Sequence, residues 1–303
     1  MGIEDISVLL EPHQDIYFPG QAVMGQVKVQ SSSDTSCRAI LVEFKGKAKV
    51  HWTVKEGDNT KHFISRERYF EFNTSLWSSH FSEKLPSGNH AWPFNFQLPF
   101  NIPSSFEGTV GYIRYSIKAN ADIPMGVDHK KKIFISINCP FDLNYSEAAK
   151  VPLVIQTTDT SCCLCCVKGP VDINVKCEHS GAVVGEGYRV RGEVTNNGSK
   201  VVGSTVVALY QHVTYHAENH TEKSESLVVK LTKGPLAPGD SFFFEDEPLV
   251  VPPVVPGLQH CKIMRLRYVF KCLPFLPCLT YEGYSLSERK DDDEMERVDE
   301  DEL

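Results

Sequence analysis

Nowhere does the chain approach the roughly 20 consecutive apolar residues that a membrane-spanning helix requires. Its N-terminus, Met1-Gly2-Ile3-Glu4-Asp5, carries no basic segment and no apolar run behind it, so no signal peptide is expected. Ile6 stands where an N-myristoylation signal needs Ser or Thr. Also missing are G-x-x-x-x-G-K-[ST], H-E-x-x-H, G-x-S-x-G and any G-x-G-x-x-G after a strand. The chain therefore offers no sequence support for an enzyme or a bound cofactor. No segment holds a helical apolar period over ten or more residues. Without a leader the expected compartment is the cytosol, where the 10 cysteines stay mostly reduced. The N-x-S/T sequons at Asn73, Asn144, Asn197 and Asn219 are then chance matches.

Apolar residues make up 41% of the 303, enough for cores and too many for a disordered chain. That length fits two domains. Net charge is −8, but Glu288–Leu303 alone holds ten acids against three bases. The remainder is close to neutral, which argues against nucleic acid as a partner. The acidic end is expected to be disordered.

Period-two alternation dominates. Ile40, Val42, Phe44, Gly46, Ala48, Val50 and Trp52 fall on one face of an extended segment, and Leu41, Glu43, Lys45, Lys47, Lys49 and His51 on the other. Trp92, Phe94 and Phe96 give a second inner face, and Ile113, Tyr115, Ile117 and Ala119 a third. Short strands separated by Gly, Pro, Asn and Ser predict β-sandwiches. The chain also repeats itself. Pro19-Gly20 through Gly25-Gln26-Val27 aligns, 167 residues on, with Glu186-Gly187 through Gly192-Glu193-Val194. Later in each half, Ile113-Arg114-Tyr115-Ser116-Ile117-Lys118 aligns with Leu266-Arg267-Tyr268-Val269-Phe270-Lys271. A repeat of this size means two copies of one domain. Gly20 and Gly187 are expected to shape turns with positive φ, and Gly25 and Gly192 to mark bulges or close backbone approach.

These residues carry a family resemblance. Tyr17-Phe18-Pro19-Gly20, Trp92-Pro93-Phe94-Asn95-Phe96-Gln97-Leu98-Pro99 and Pro103-Ser104-Ser105-Phe106-Glu107-Gly108 resemble the first domain of the α-arrestins, the arrestin-domain-containing proteins. Gly169-Pro170-Val171, Gly185-Glu186-Gly187, Asn196-Asn197-Gly198-Ser199 and Leu209-Tyr210-Gln211 resemble the second. The resemblance implies an all-β fold of two tandem antiparallel, immunoglobulin-like sandwiches. The expected division is a first sandwich over 1–155, a cysteine-rich linker over 156–169, a second sandwich over 170–280 and an acidic tail over 281–303. It further implies an adaptor in the endocytic sorting of membrane proteins. Its partners would be cytoplasmic parts of receptors or transporters, other arrestin-family proteins, and a HECT-type ubiquitin ligase. Localisation would be cytoplasmic, with endosomal or plasma-membrane association. Two departures stand out. No Pro-Pro-x-Tyr occurs, so a ligase is expected only indirectly. After Lys271 the expected last strand pair of the second sandwich gives way to Cys272-Leu273-Pro274-Phe275-Leu276-Pro277-Cys278, leaving a sheet edge unfilled.

Two groups of residues invite chemistry. Cys162, Cys163, Cys165 and Cys166 form overlapping C-x-x-C pairs. Zinc needs four ligands at tetrahedral angles, which one short segment supplies poorly. S-acylation and an inert reduced linker are the other readings, and a zinc or redox protein stands as an alternative function. Lys45, Lys47 and Lys49, with Lys130, Lys131 and Lys132, form either ordinary solvated surface or a patch for acidic cargo tails and anionic lipid, with peripheral membrane contact. His212 and His216 share a strand face without a third ligand, so no metal is expected there. A retromer-like coat subunit and an extracellular adhesion module are the competing functions for the same fold.

Overall fold

A computed structural model describes residues 2–14, 16–79, 84–126, 128–159, 162–163, 166–167 and 170–275, with the backbone alone for 159, 162, 163, 166 and 167. The alternating segments of the first half become β1 (Ile3–Leu10), β2 (Ile16–Tyr17), β3 (Ala22–Ser31), β4 (Ala39–Glu56), β5 (Asn59–Ser78), β6 (Gly88–Gln97), β7 (Phe106–Glu107), β8 (Gly111–Asp122) and β9 (His129–Ile137). A 3₁₀ turn at Leu143–Tyr145 and one helical turn, Glu147–Lys150, lead onward. The second half supplies β10 (Leu153–Asp159), β11 (Cys162–Cys163), β12 (Cys166–Val167), β13 (Val171–Cys177), β14 (Gly187–Asn196), β15 (Ser204–Ala217), β16 (His220–Lys233), β17 (Ser241–Val250) and β18 (Met264–Phe275). This is the all-β, two-sandwich architecture that the alternation predicts.

In the first sandwich a sheet β1-β3-β6 faces a sheet β2-β9-β8-β4-β5, with β7 added to β8. In the second, β10-β13-β14-β17 faces β16-β15-β18. The repeat is therefore structural. The order β1-β3-β6 returns as β13-β14-β17, and β8-β4-β5 returns as β18-β15-β16. The glycine pair explains itself at this level. A Cβ on Gly25 would overlap the Leu9 carbonyl of β1, and one on Gly192 the Asn174 carbonyl of the matching strand β13. The pair keeps the same close approach in both copies. Gly20 has φ +78°, as expected, but the second-half turn falls on Gly185 (φ +84°) and not on Gly187.

The expected boundary needs correction. Leu153–Asp159 pairs along β13 from Leu153–Cys177 to Asp159–Val171, so residues 153–159 belong to the second sandwich. Within the expected linker 156–169, Cys162–Cys163 and Cys166–Val167 pair as a short hairpin between β10 and β13. The β-branched residues Val154, Ile155, Thr157 and Thr158 of β10 favour pairing on a half-buried ladder over a free linker. Cys165, the side chains of Cys162, Cys163 and Cys166, and the acidic tail lie outside the described residues.

The inner face of β4 packs as read: Ile40, Val42, Ala48 and Val50 are fully buried. Phe94 meets Phe44 edge-on at 5.4 Å, while Phe96 stacks on the same ring at 4.6 Å. The first core does not stop at the first sandwich. Val213, Tyr215, Ala217, Leu258, Ile263 and Met264 of the second half join it. Polar contacts fix the junction. The Thr109 N–H donates to Tyr215 Oη (3.0 Å), the Lys262 N–H donates to Glu67 Oε2 (2.8 Å), and the rings of Phe63 and His220 lie 4.3 Å apart. A continuous apolar junction of this kind restrains relative motion of the two sandwiches.

Candidate functional site

Period two sends every second residue of a strand to the same side, so one sheet face can collect charges that are distant in sequence. The outer face of β9-β8-β4-β5 does so. β4 contributes Lys45, Lys47 and Lys49. The ladder sets Arg66 and Arg68 of β5 beside Lys49 and Lys47, and Arg114 of β8 on the other side of Lys47. Lys118 of β8 faces Lys132 of β9, and Lys130 follows opposite Asn120. The acids of these four strands on the same face are Glu43, Glu71 and Asp122. The junction with the second sandwich is made from the opposite face, where Glu67 sits beside Ala48.

The predicted lysines do not all belong. Lys131 pairs opposite buried Ala119, so it lies on the other side of the sheet from Lys130 and Lys132. Lys49 is 2% exposed, which overturns its place in a solvated stripe. Its stem is covered because it lies between Arg66 and Tyr112 in the middle of the ladder, where long neighbouring side chains close over it. Lys45 bonds Glu71 (Nζ–Oε1 3.3 Å), and Lys47 sits over the Tyr112 ring at 5.6 Å. Arg114 stacks on that same ring at 4.1 Å and grips Glu107 of β7 with two bonds, 2.8 and 3.0 Å. Sequence reasoning missed Arg66, Arg68, Arg114 and Lys118. The signal was available in part, since Arg66 and Arg68 also alternate, but their partner strand was not.

The local field is positive. Burial pushes His51 below its ordinary range, and Lys49, His62 and Arg66 push the same way. The Arg68 guanidinium bonded to Glu71 holds that carboxyl below the usual carboxylate range, with Lys45 assisting against partial desolvation. Held negative, Glu71 neutralises only part of the face. A basic surface that also holds the rings of Tyr112 and Phe134, the latter under Lys132 Nζ at 4.9 Å, suits carboxylates or phosphates on an extended or flexible partner. Elsewhere, His212 lies against Glu225 (Nε2–Oε2 2.6 Å), which Lys271 also contacts at 2.8 Å. His216 gives its backbone N–H to Ile263 at 2.8 Å.

Comparison with known proteins agrees with this architecture. Residues 6–144 match the arrestin (or S-antigen) N-terminal domain and residues 167–285 the arrestin (or S-antigen) C-terminal domain. Arrestin domain-containing protein 17 of Caenorhabditis elegans is 28% identical over 282 residues, covering 88% of this chain and 66% of that protein. Arrestin domain-containing protein 4 of Homo sapiens is 26% identical over 271 residues, covering 86% of this chain and 64% of the relative. Arrestin domain-containing protein 1 of Mus musculus is 29% identical over 217 residues, covering 71% and 48% respectively. The chain thus spans about half to two thirds of the length of these relatives. Two matched domains in tandem, on a duplicated sandwich, place the chain in the arrestin family, among the arrestin-domain-containing proteins or α-arrestins.

Proposed function

We propose that the chain is a trafficking adaptor that binds acidic or phosphorylated cytoplasmic segments of membrane receptors or transporters on the outer face of β9-β8-β4-β5. One observation carries this: basic side chains from four strands converge on a face turned away from the domain junction. Arginine and lysine there supply both bidentate and point-charge contacts to anions. The arrestin-family scaffold supports an adaptor role. Endocytic sorting, membrane association and indirect contact with a HECT-type ligase follow on this proposal from the same scaffold.

The test is titration with a fluorescent peptide carrying three phosphoserines, against the parent and a Lys47→Glu/Lys132→Glu variant. Lys132 is exposed and Lys47 half-buried, so the sheet keeps its core. The parent binds with affinity that falls as salt rises, and the variant binds at least tenfold more weakly. Equal binding by both sinks the proposal. Binding of anionic vesicles with no response to the peptide moves the face from cargo to lipid.

A further inference from the structure

The duplication makes one mismatch visible. In the first sandwich β8 is paired on both sides, by β4 and by β9. Its counterpart β18 is paired by β15 alone, and among the described residues it ends its sheet. The His216 N–H bonds the Ile263 carbonyl, which fixes the alternation along the strand. Arg265, Arg267, Val269 and Lys271 turn their backbone groups toward β15, and Leu266, Tyr268, Phe270 and Cys272 turn theirs to the open edge.

Side-chain burial records the same vacancy. Tyr115 and Ile117 of β8 are fully buried beneath Ile135 and Ile133 of β9. Their repeat partners Tyr268 and Phe270 stay half-buried. Those two rings, with Leu153, Leu209, Val251 and Val254, line a cavity of about 840 Å³. It is large enough for several side chains, and Phe141 and Leu143 of the connection between the sandwiches line it as well.

We infer that the β18 edge of the second sandwich takes an extended strand from a partner protein, one that alternates branched apolar with acidic residues. β9 provides the template for the inner positions, where Ile133 and Ile135 cover the equivalents of Phe270 and Tyr268. Charge decides the outer positions. Arg265 and Arg267 project to the solvent side of β18, while Lys271 is already paired with Glu225, so cross-strand neighbours of the two arginines are favoured when acidic. A second copy of β18 would bring the same bases against themselves. The sequence that follows Phe275, Leu276–Ser287, carries a single acid, Glu282, with Pro277 and Gly283 inside it, so it lacks the acidic alternation that the outer positions favour. Main-chain bonds would give affinity, and the cavity under Tyr268 and Phe270 selectivity.

Single-amide hydrogen exchange on the full 303-residue chain tests this, with a synthetic peptide of alternating Glu and Ile as probe and its Lys/Ile analogue as control. In the free chain Leu266, Tyr268, Phe270 and Cys272 exchange quickly, while Arg267, Val269 and Lys271 are slow. The Glu/Ile peptide slows the outward set at least tenfold, and Arg265→Glu/Arg267→Glu weakens its binding at least tenfold. Because both arginines are exposed, that variant keeps the fold. Protection of the outward set before any peptide is added overturns the inference: independence of protein concentration assigns the edge to the chain itself, and dependence assigns it to a second copy. Equal protection by the Lys/Ile peptide overturns it as well. Neither result touches the β4 face, which the phosphopeptide titration reads separately.

Discussion

Truncating Phe94 to Ala removes the ring that locks β6 onto β4. Phe94 is 6% exposed, meets Phe44 edge-on at 5.4 Å, and covers the bare Gly25 backbone of β3. Loss of a buried Phe costs about 3–5 kcal/mol, transfer and cavity together. Phe96 stacks on Phe44 from the same strand and is half-buried, so it can shift into part of the space. The cost therefore falls near the lower limit, about 3 kcal/mol. For a domain of this size each kcal/mol moves the midpoint by roughly 2–4 °C, so the expected drop is about 6–12 °C. The assay is selective without labelling, because all three tryptophans, Trp52, Trp77 and Trp92, belong to the first sandwich. Thermal unfolding followed by tryptophan fluorescence reads that sandwich, with Phe134→Ala as control on an exposed ring of β9. The control changes stability by less than about 0.5 kcal/mol. A parent-like midpoint for Phe94→Ala, or a drop as large for Phe134→Ala, refutes the face assignment.

Other expectations concern charge, thiols and recruitment. Glu71 titrates below the ordinary carboxylate range because Arg68, and after it Lys45, favour the charged form. Its depressed value contributes stability that is present above the unfolded pKa and lost as pH falls through the folded one. Carbon-detected NMR titration should show that low midpoint, and Arg68→Gln should raise it; an unmoved midpoint disproves the cause. Burial pushes the Cys272 thiol up to about 12 and the Cys177 thiol up to about 11, so iodoacetamide at neutral pH should leave both unmodified until the chain unfolds, and peptide mapping that finds either alkylated in the native chain contradicts the burial. These 303 residues contain no Pro-Pro-x-Tyr, so purified chain should not bind isolated WW domains; binding comparable to a Pro-Pro-x-Tyr peptide would restore direct ligase recruitment.

Much of this molecule is legible in one dimension. Alternation over Ile40–Trp52 marks a strand and its inner face, because strand geometry sends alternate side chains to opposite sides whatever the neighbours are. The repeat of Gly25 at Gly192 marks duplication, because in each half the same close approach to a neighbouring carbonyl admits only hydrogen. The linker expectation failed at Leu153–Asp159 for the converse reason. Strand propensity is weak without a partner, and the partner, β13, comes later in the chain.

Strand periods and their inner faces were set by the sequence, since alternation depends on residues two positions apart. The composition of the basic face was decided only by tertiary structure. Lys45 and Lys132 are 87 positions apart along the chain and share a surface because β8 pairs with both β4 and β9. Lys49 looks the same as Lys47 in the sequence, yet the ladder buries it between Arg66 and Tyr112. The open edge of β18 has the same origin. Whether a strand's outer backbone groups are satisfied depends on what stands beside it, and register between distant strands is fixed by collective burial, which no local window contains.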